Sequence, residues 1–487
     1  MTYLSQLRKR DASPSLVLVI VCAGVVLASL DLFIVNLALP SIGRDLHQPN
    51  LTDLSWILNG YAIVYASLLV LLGRLSERYN REAGFLVGTA LFTISSAACG
   101  AAPNLSVLVA FRIVQAVGAA LLTPTSLSLI LATAAPERRQ SSVRAWTAVG
   151  GVAAGLGPVL GGLLIAASWR WVFFVNVPVG ILAILVGWRR LPAVPGHPVP
   201  RPDALGAALI TAGVGVLTLG LVEGNNWGWG SGRVIGALVA SIVLLAGFVL
   251  HTARNANPLL DRSLFRVRTF NASSVVALLF STAFGAMLLS VVLWMQTVWG
   301  WSPLHAGLAF APGPLLVPVF AFGVAARAIP RFGAGRVIGV GATIYAVGAT
   351  WWALRTGLHP NYLGEVLPGT ILTGAGVGLT LPTFMAAGTS ALPPQSFATG
   401  SAAINMLRQV GLAVGVAVLI ALLGRSHAGP AVVNAFHHGW FAIAAFSFAA
   451  AVAGMVLLRV RSAGTVPETS SAPAARTAGV LAGTVAE

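Results

Sequence analysis

Three charged residues lie inside long apolar runs: Asp31, Arg112 and Arg408. A charge at bilayer depth is costly and is by default functional. Asp31 lies about eight residues from the end of its run, about 12 Å deep at 1.5 Å per residue. Arg112 lies about five residues from the end of its own, about 8 Å deep. The depths nearly match, so the two can pair directly or through water. An acid beside a fixed cation is a suitable proton carrier. The other reading is a structural ion pair that only fixes helix packing. Arg408 falls near mid-depth with no acid nearby in sequence and with Asn405 one helical turn away. It is left to backbone carbonyls, a distant acid or a substrate. Glu223 and Glu365 fall near span ends, where water also accounts for them. No Ser/His/Asp set occurs at this depth, so no membrane-embedded enzyme is expected.

Positioning such groups takes apolar helices, and composition supplies them. The 487-residue chain is 57% hydrophobic and 9% charged. Soluble domains carry about 25% charged residues, and disorder needs low hydrophobicity. What remains is an all-helical membrane protein with many spans. We place spans at 16–39, 54–73, 83–102, 107–131, 143–166, 170–190, 204–223, 233–251, 270–298, 304–329, 334–354, 363–391, 398–424 and 437–459, fourteen in all. Grouping around the longer connections gives an N-terminal segment (1–15), six spans (16–190), a Pro-rich linker (191–203), two spans (204–251), a second linker (252–269), six more spans (270–460) and a tail (461–487). The Ala/Ser/Thr/Pro-rich tail is expected to be disordered.

The formal charge is +16, with Lys9 the only Lys. Basic residues are scattered over short connections, so nucleic acid is not an expected partner. On this topology 22 of the 29 basic residues fall on one side, five on the other and two within spans. That excess places both termini in the cytoplasm of a multi-pass protein of the cell membrane. The Arg bias over Lys points to a GC-rich, bacterial genome. Lys9 has no glycines before it, so a phosphate-binding GxxxxGK[ST] loop is absent and ATP is not the driver. Energy must come from an ion gradient or from the substrate's own. Cys22 and Cys99 sit in apolar runs without CxxC or Cys/His clusters, so no metal and no cofactor is expected.

GVAAGLGPVLGG (151–162) carries Gly151/Gly155 and Gly157/Gly161 at i, i+4 spacing, which leaves a flat stripe for close helix contact. Pro158 removes one backbone donor and allows a bend. The other reading is an ordinary tightly packed Gly helix.

Several segments resemble the major facilitator superfamily, and within it the 14-span drug:proton antiporters. LDLFIVNLALPSI (30–42), with Asp31 and Asn36, resembles the first-span motif. FRIVQAVGAA (111–120) resembles the fourth, with Arg112, Gln115 and Gly118. GRLSERYNRE (73–82) resembles the loop between spans two and three, keeping Gly73, Arg78 and Arg81 but with Glu77 for Asp and Asn80 for Gly. GLGPVLGG matches the antiporter motif through Gly157, Pro158, Gly161 and Gly162. LSWILNGYAI (54–63), WRWVFFVNVPVG (169–180), DALGAALITAG (203–213) and NMLRQVGLAVGVAV (405–418) also look like this group.

The resemblance implies two six-helix bundles about a central cavity, with two extra helices outside them. It implies export of a lipophilic or amphiphilic small molecule in exchange for protons by alternating access. Asp31 and Arg112 would face the cavity as the coupling pair. Gln115, Asn36, Arg408, Asn405, Glu223 and Glu365 are candidates for substrate or coupling contacts. Gly73, Glu77, Arg78 and Arg81 would gate. A carrier of the same fold for a metabolite or nutrient is the next reading, and a transport-inactive sensor or scaffold the third.

Overall fold

A computed structural model describes residues 13–48, 50–195, 202–390, 392, 397–424 and 430–458. The N-terminal residues 1–12, part of the Pro-rich linker (196–201) and the tail from 459 lie outside the described residues, as do the side chain of Glu77 and the surroundings of Gly151 and Gly155.

The described residues form helices and connections, with no strand. The long helices are α1 Pro14–Asp45, α2 Leu51–Arg78, α3 Arg81–Gly100, α4 Leu105–Thr133 and α5 Pro136–Ala167. They continue with α6 Trp171–Arg190, α7 Ala204–Val222, α8 Gly232–Arg254, α9 Arg268–Thr297 and α10 Pro303–Phe332. The last are α11 Ala334–Arg355, α12 Tyr362–Ser390, α13 Phe397–Leu423 and α14 Pro430–Leu457. Among the described residues, 13 helices are long and apolar enough to cross a membrane; α5 adds the shorter apolar stretch Leu156–Ala167.

Polar caps start many of these helices. Side chains of Ser13, Asn50, Asn80, Asn104, Asp203, Ser231 and Ser302 each accept a backbone N–H of the first turn. Such a cap satisfies a donor that the helix itself leaves free. Proline shapes the interior. Helix α1 runs past Pro40 to Asp45, beyond the expected end at 39, because one missing N–H does not stop a helix in an apolar setting. Pro312 and Pro318 interrupt α10, which passes through a π-helical stretch at Val319–Ala325. Helix α6 is broken after Phe174 and resumes at Asn176.

Helices α1–α6 pack among themselves, and so do α9–α14. Close backbone approach holds them where glycine allows it. A Cβ on Gly118 of α4 would lie 2.6 Å from the Phe92 backbone N of α3. The halves meet through α1 with α9, α2 with α13, and α5 with α10. The inserted pair is asymmetric. Helix α7 lies against both α2 and α13, along one seam between the halves, and α8 packs against α7 with most of its surface outward.

Asp203 ties this insert down. Its carboxylate accepts Gly206 N at 2.9 Å and Leu259 N at 3.0 Å, and lies 2.8 Å from His251 Nε2. Arg74 of α2 donates to Pro258 O at 2.6 Å, joining the same connection to the first half. Burial pushes the Asp203 carboxyl up, but the hydrogen bonds from Gly206, His251 and Leu259 outweigh it and hold it below the ordinary range. The clamp therefore acts at neutral pH and is lost as pH falls below that range. Asp203→Ala is expected to lower stability by roughly 2–3 kcal/mol, read by thermal unfolding in detergent, because a cap and two further partners disappear together. Asp203→Asn keeps the cap and is expected to cost less.

Candidate functional site

The buried charges meet between α1 and α4. Arg112 Nη1 lies 2.5 Å from Asp31 Oδ2, and both side chains are 0% exposed. Gln115, one turn along α4, joins both: its Oε1 accepts Arg112 Nη1 at 2.7 Å and its Nε2 donates to Asp31 Oδ1 at 3.1 Å. Arg112 Nε donates to Ile57 O of α2 at 3.2 Å, and the Tyr61 ring stacks on the guanidinium at 4.2 Å.

The network continues outward from Gln115. Ser96 Oγ of α3 lies 3.3 Å from Gln115 Nε2 and 3.0 Å from Asn176 Nδ2, and it donates to Phe173 O at 2.9 Å. The break in α6 brings Asn176 to this place. Thus five helices, α1, α2, α3, α4 and α6, hold one polar cluster. A buried pair loses solvation of both ions and depends on such added hydrogen bonds. The cluster is also not saturated. Arg112 Nη2, Asn59 Oδ1 and Asn176 Oδ1 are buried with no hydrogen-bond partner among the described residues. In the sequence, Tyr61 stands out only within the LSWILNGYAI segment. Ser96 reads as an ordinary small helix residue, and Asn176 was visible only within the WRWVFFVNVPVG motif.

The expectation that the pair faces a cavity needs correction. A cavity of about 90 Å³ lies between α2, α4, α5 and α13, lined in part by Arg74, Thr123, Ser128, Trp146, Ser401 and Asn405. Asp31 and Arg112 are not among its lining residues; they are sealed within the first half. The reason is Gln115, Tyr61 and Ile57, which occupy the space around the ions. Asn405 does line the cavity, and its Nδ2 donates to Ser401 O at 3.2 Å. Arg408 follows one turn deeper, partly exposed, with Nε buried and unpartnered.

Other candidates stay apart from the cluster. Asn36 Nδ2 donates to Leu32 O of its own helix at 2.7 Å. Glu223 lies past the end of α7, not within it, and accepts Asn226 Nδ2 at 3.0 Å. Glu365 accepts Gly357 N at 2.9 Å and steadies the connection between α11 and α12. Both sit where a helix end frees polar groups. In the α2–α3 connection, Gly73 packs on Pro124 of α4. Arg78 ends α2, and Arg81 N donates to Val194 O at 3.1 Å. Asn80 has φ −71° and caps α3 through Glu82 N, so the left-handed conformation that a Gly would ease is not used.

The span-five motif lies between the halves, near the Arg-poor end. Gly157 faces Phe33 and Gly161 faces Ile34 and Leu37, all on α1. Gly162 abuts Leu304 of α10, and the Pro158 carbonyl abuts Gly307 of α10. At the same end Gln296 Nε2 of α9 donates to Leu37 O at 3.0 Å, and the Phe33 and Phe284 rings are 6.3 Å apart. This end is closed, while the cavity lies toward the Arg-rich end.

The Major Facilitator Superfamily model matches residues 21–416. The chain is 32% identical over 410 residues to the tetracenomycin C resistance and export protein of Streptomyces glaucescens, covering 83% of this chain and 75% of that protein. It is 33% identical over 455 residues to the cephamycin export protein CmcT of Amycolatopsis lactamdurans, covering 92% and 93%. Its fold matches that of a D-xylose–proton symporter with a TM-score of 0.66 at 14% identity, over 91% of this chain and 97% of that one. With two packed halves of six long helices each and an inserted pair among the described residues, and a family match over most of its length, the chain belongs to the Major Facilitator Superfamily and is a multi-pass membrane transporter.

Proposed function

We propose that this transporter exports lipophilic or amphiphilic small molecules across the bacterial cytoplasmic membrane in exchange for protons, by alternating access. The observation that carries the reading is the Asp31–Arg112–Gln115 cluster, one acid held by one cation and one amide in full burial. Protonating the Asp31 carboxylate cancels the negative charge that holds Arg112 and leaves the buried cation without its counter-ion. Loading a proton and keeping the ion pair therefore exclude one another. Proton exchange is thereby tied to a movement of α1 against α4, and α1 also forms part of the closed end through Phe33 and Leu37. The relatives' names, resistance and export proteins for tetracenomycin C and cephamycin, support outward transport of such compounds.

In this reading the polypeptide crosses the membrane fourteen times, α5 included, as two six-helix bundles (16–190 and 270–460) with the pair 204–251 between them. Both termini are cytoplasmic, and the Arg-rich end is the inner one. Reporters fused after Arg201 and after Arg336 are expected to read cytoplasmic; an external reading at either would overturn the topology. For the function, inside-out vesicles with an acid lumen are expected to accumulate tetracenomycin C or cephamycin and to alkalinise as they do so. Equal accumulation after a protonophore collapses the pH gradient would exclude proton exchange.

A further inference from the structure

Arg408 is a cation without a counter-charge. It sits eleven residues into α13, about 16 Å along the helix axis. Among the described residues no carboxylate lies within ion-pair distance of it, and its Nε is buried without a hydrogen-bond partner. The acid of the buried cluster is already committed to Arg112 and Gln115. A partly exposed guanidinium at this depth is costly unless something pairs with it.

Its neighbourhood opens on the cavity. Ser401 and Asn405 lie on the same face of α13 as Arg408, at i−7 and i−3, and both line the cavity. The Tyr65 hydroxyl lies 3.2 Å from Thr123 Oγ1, and Thr123 is itself a lining residue. Arg408 therefore lies one turn beyond Asn405 on the face of α13 that lines the cavity. Arg74 lies at the other end, and among the described residues no acid lines the cavity. The walls between are mixed: hydroxyls and an amide on one hand, Leu69, Leu127 and Trp146 on the other. Such a site has apolar surface for a hydrophobic body and cations for one negative group.

We propose that this cavity is the inward-facing substrate site, and that Arg408 selects amphiphiles bearing an anionic group, a carboxylate or a phenolate, over neutral and cationic analogues. The proposal rests on the export reading above and names the substrate class for it. The guanidinium receives the anion with charge-assisted hydrogen bonds, which are about twice as strong as neutral ones. Arg74 adds a favourable field for anions along the approach.

The test uses three probes of one shape, 2-naphthoate, 2-naphthamide and 2-naphthylmethylammonium, titrated calorimetrically into the purified full-length protein in detergent at low salt. The wild type is expected to bind naphthoate about ten- to hundredfold more tightly than naphthamide, and the ammonium compound least. Arg408→Gln is expected to bring the naphthoate-to-naphthamide ratio to about one, and Arg408→Lys to keep part of it. Size-exclusion and thermal unfolding check that the variants are folded. Independently of both variants, naphthoate but not naphthamide is expected to slow maleimide labelling of Ser401→Cys. No preference in the wild type, no saturable binding of any probe, or a preference kept by folded Arg408→Gln would each overturn the proposal. Binding in micelles needs no gradient, so a failure of proton coupling leaves this readout unmoved. Conversely, gradient-driven export without anion preference would sink the Arg408 assignment and leave the export reading standing.

Discussion

Asp31→Asn is expected to abolish gradient-driven efflux. The amide nearly keeps the shape of the carboxylate and its contact with Gln115, but it carries no exchangeable charge. The loss is expected to be about a hundredfold or more, since no second acid belongs to the described cluster. The same substitution leaves Arg112 buried without its counter-ion. Breaking a buried pair by removing one partner costs about 3–5 kcal/mol. Flux must therefore be normalised to folded protein, measured by size-exclusion and thermal unfolding. Pairing it with Arg112→Gln separates the two effects. The double variant is expected to recover much of the thermal stability, because no lone charge remains, and to stay uncoupled. Asp31→Glu is expected to retain partial activity. Wild-type efflux driven by a pH gradient in folded Asp31→Asn would remove Asp31 from proton coupling.

Gly162→Val and Gly307→Val are expected to hold the carrier away from its present state, with efflux reduced about tenfold or more. A Cβ at Gly162 would lie 2.7 Å from Leu304 Cα and 3.1 Å from Pro303 O. A Cβ at Gly307 would press on the Pro158 carbonyl. Both contacts cross from α5 to α10, so relief requires the two halves to part at the Arg-poor end. Overpacking of this kind costs about 1–3 kcal/mol. A cost borne only by the closed state shifts the conformational equilibrium by roughly 5- to 150-fold. The readout is labelling of Gln296→Cys from outside by an impermeant thiol reagent. Gln296 bridges to Leu37 O at this end, and the native Cys22 and Cys99 are buried. Faster labelling in the Val variants is expected; unchanged labelling with normal efflux would mean that this contact does not gate. Pro158→Ala is expected to act more mildly on packing, because the carbonyl that meets Gly307 remains.

The helices were legible because bilayer crossing demands long apolar runs, and each expected span corresponds to a helix in the structure. Their ends were less so. The first span is expected to end at 39, yet α1 continues through Pro40 to Asp45. Glu223 reads as a span residue, yet α7 ends at Val222 and leaves it at the surface. Helix ends depend on caps and on neighbours that supply partners for freed backbone groups, and these neighbours are distant in sequence. Asp31 and Arg112 were visible because charge in an apolar run is conspicuous. Ser96 and Asn176 were not, since a small polar residue in a membrane helix commonly bonds its own backbone, as Thr89 does to Phe85 O.

Composition and long apolar runs were therefore enough to define a helical membrane protein, and the charges inside those runs pointed to Asp31 and Arg112. Local chemistry is written into each run of about twenty residues, and the hydrophobic thickness of a bilayer does the rest. The packed fold alone decided that Gln115, Tyr61 and Ile57 enclose this pair, that the cavity lies instead beside Asn405 and Arg408, and that Gly162 and Gly307 set the distance between the halves. Each of these is a contact between helices far apart in the chain. A helix presents several faces, and which of them meets which neighbour is chosen by the packing of all the helices together.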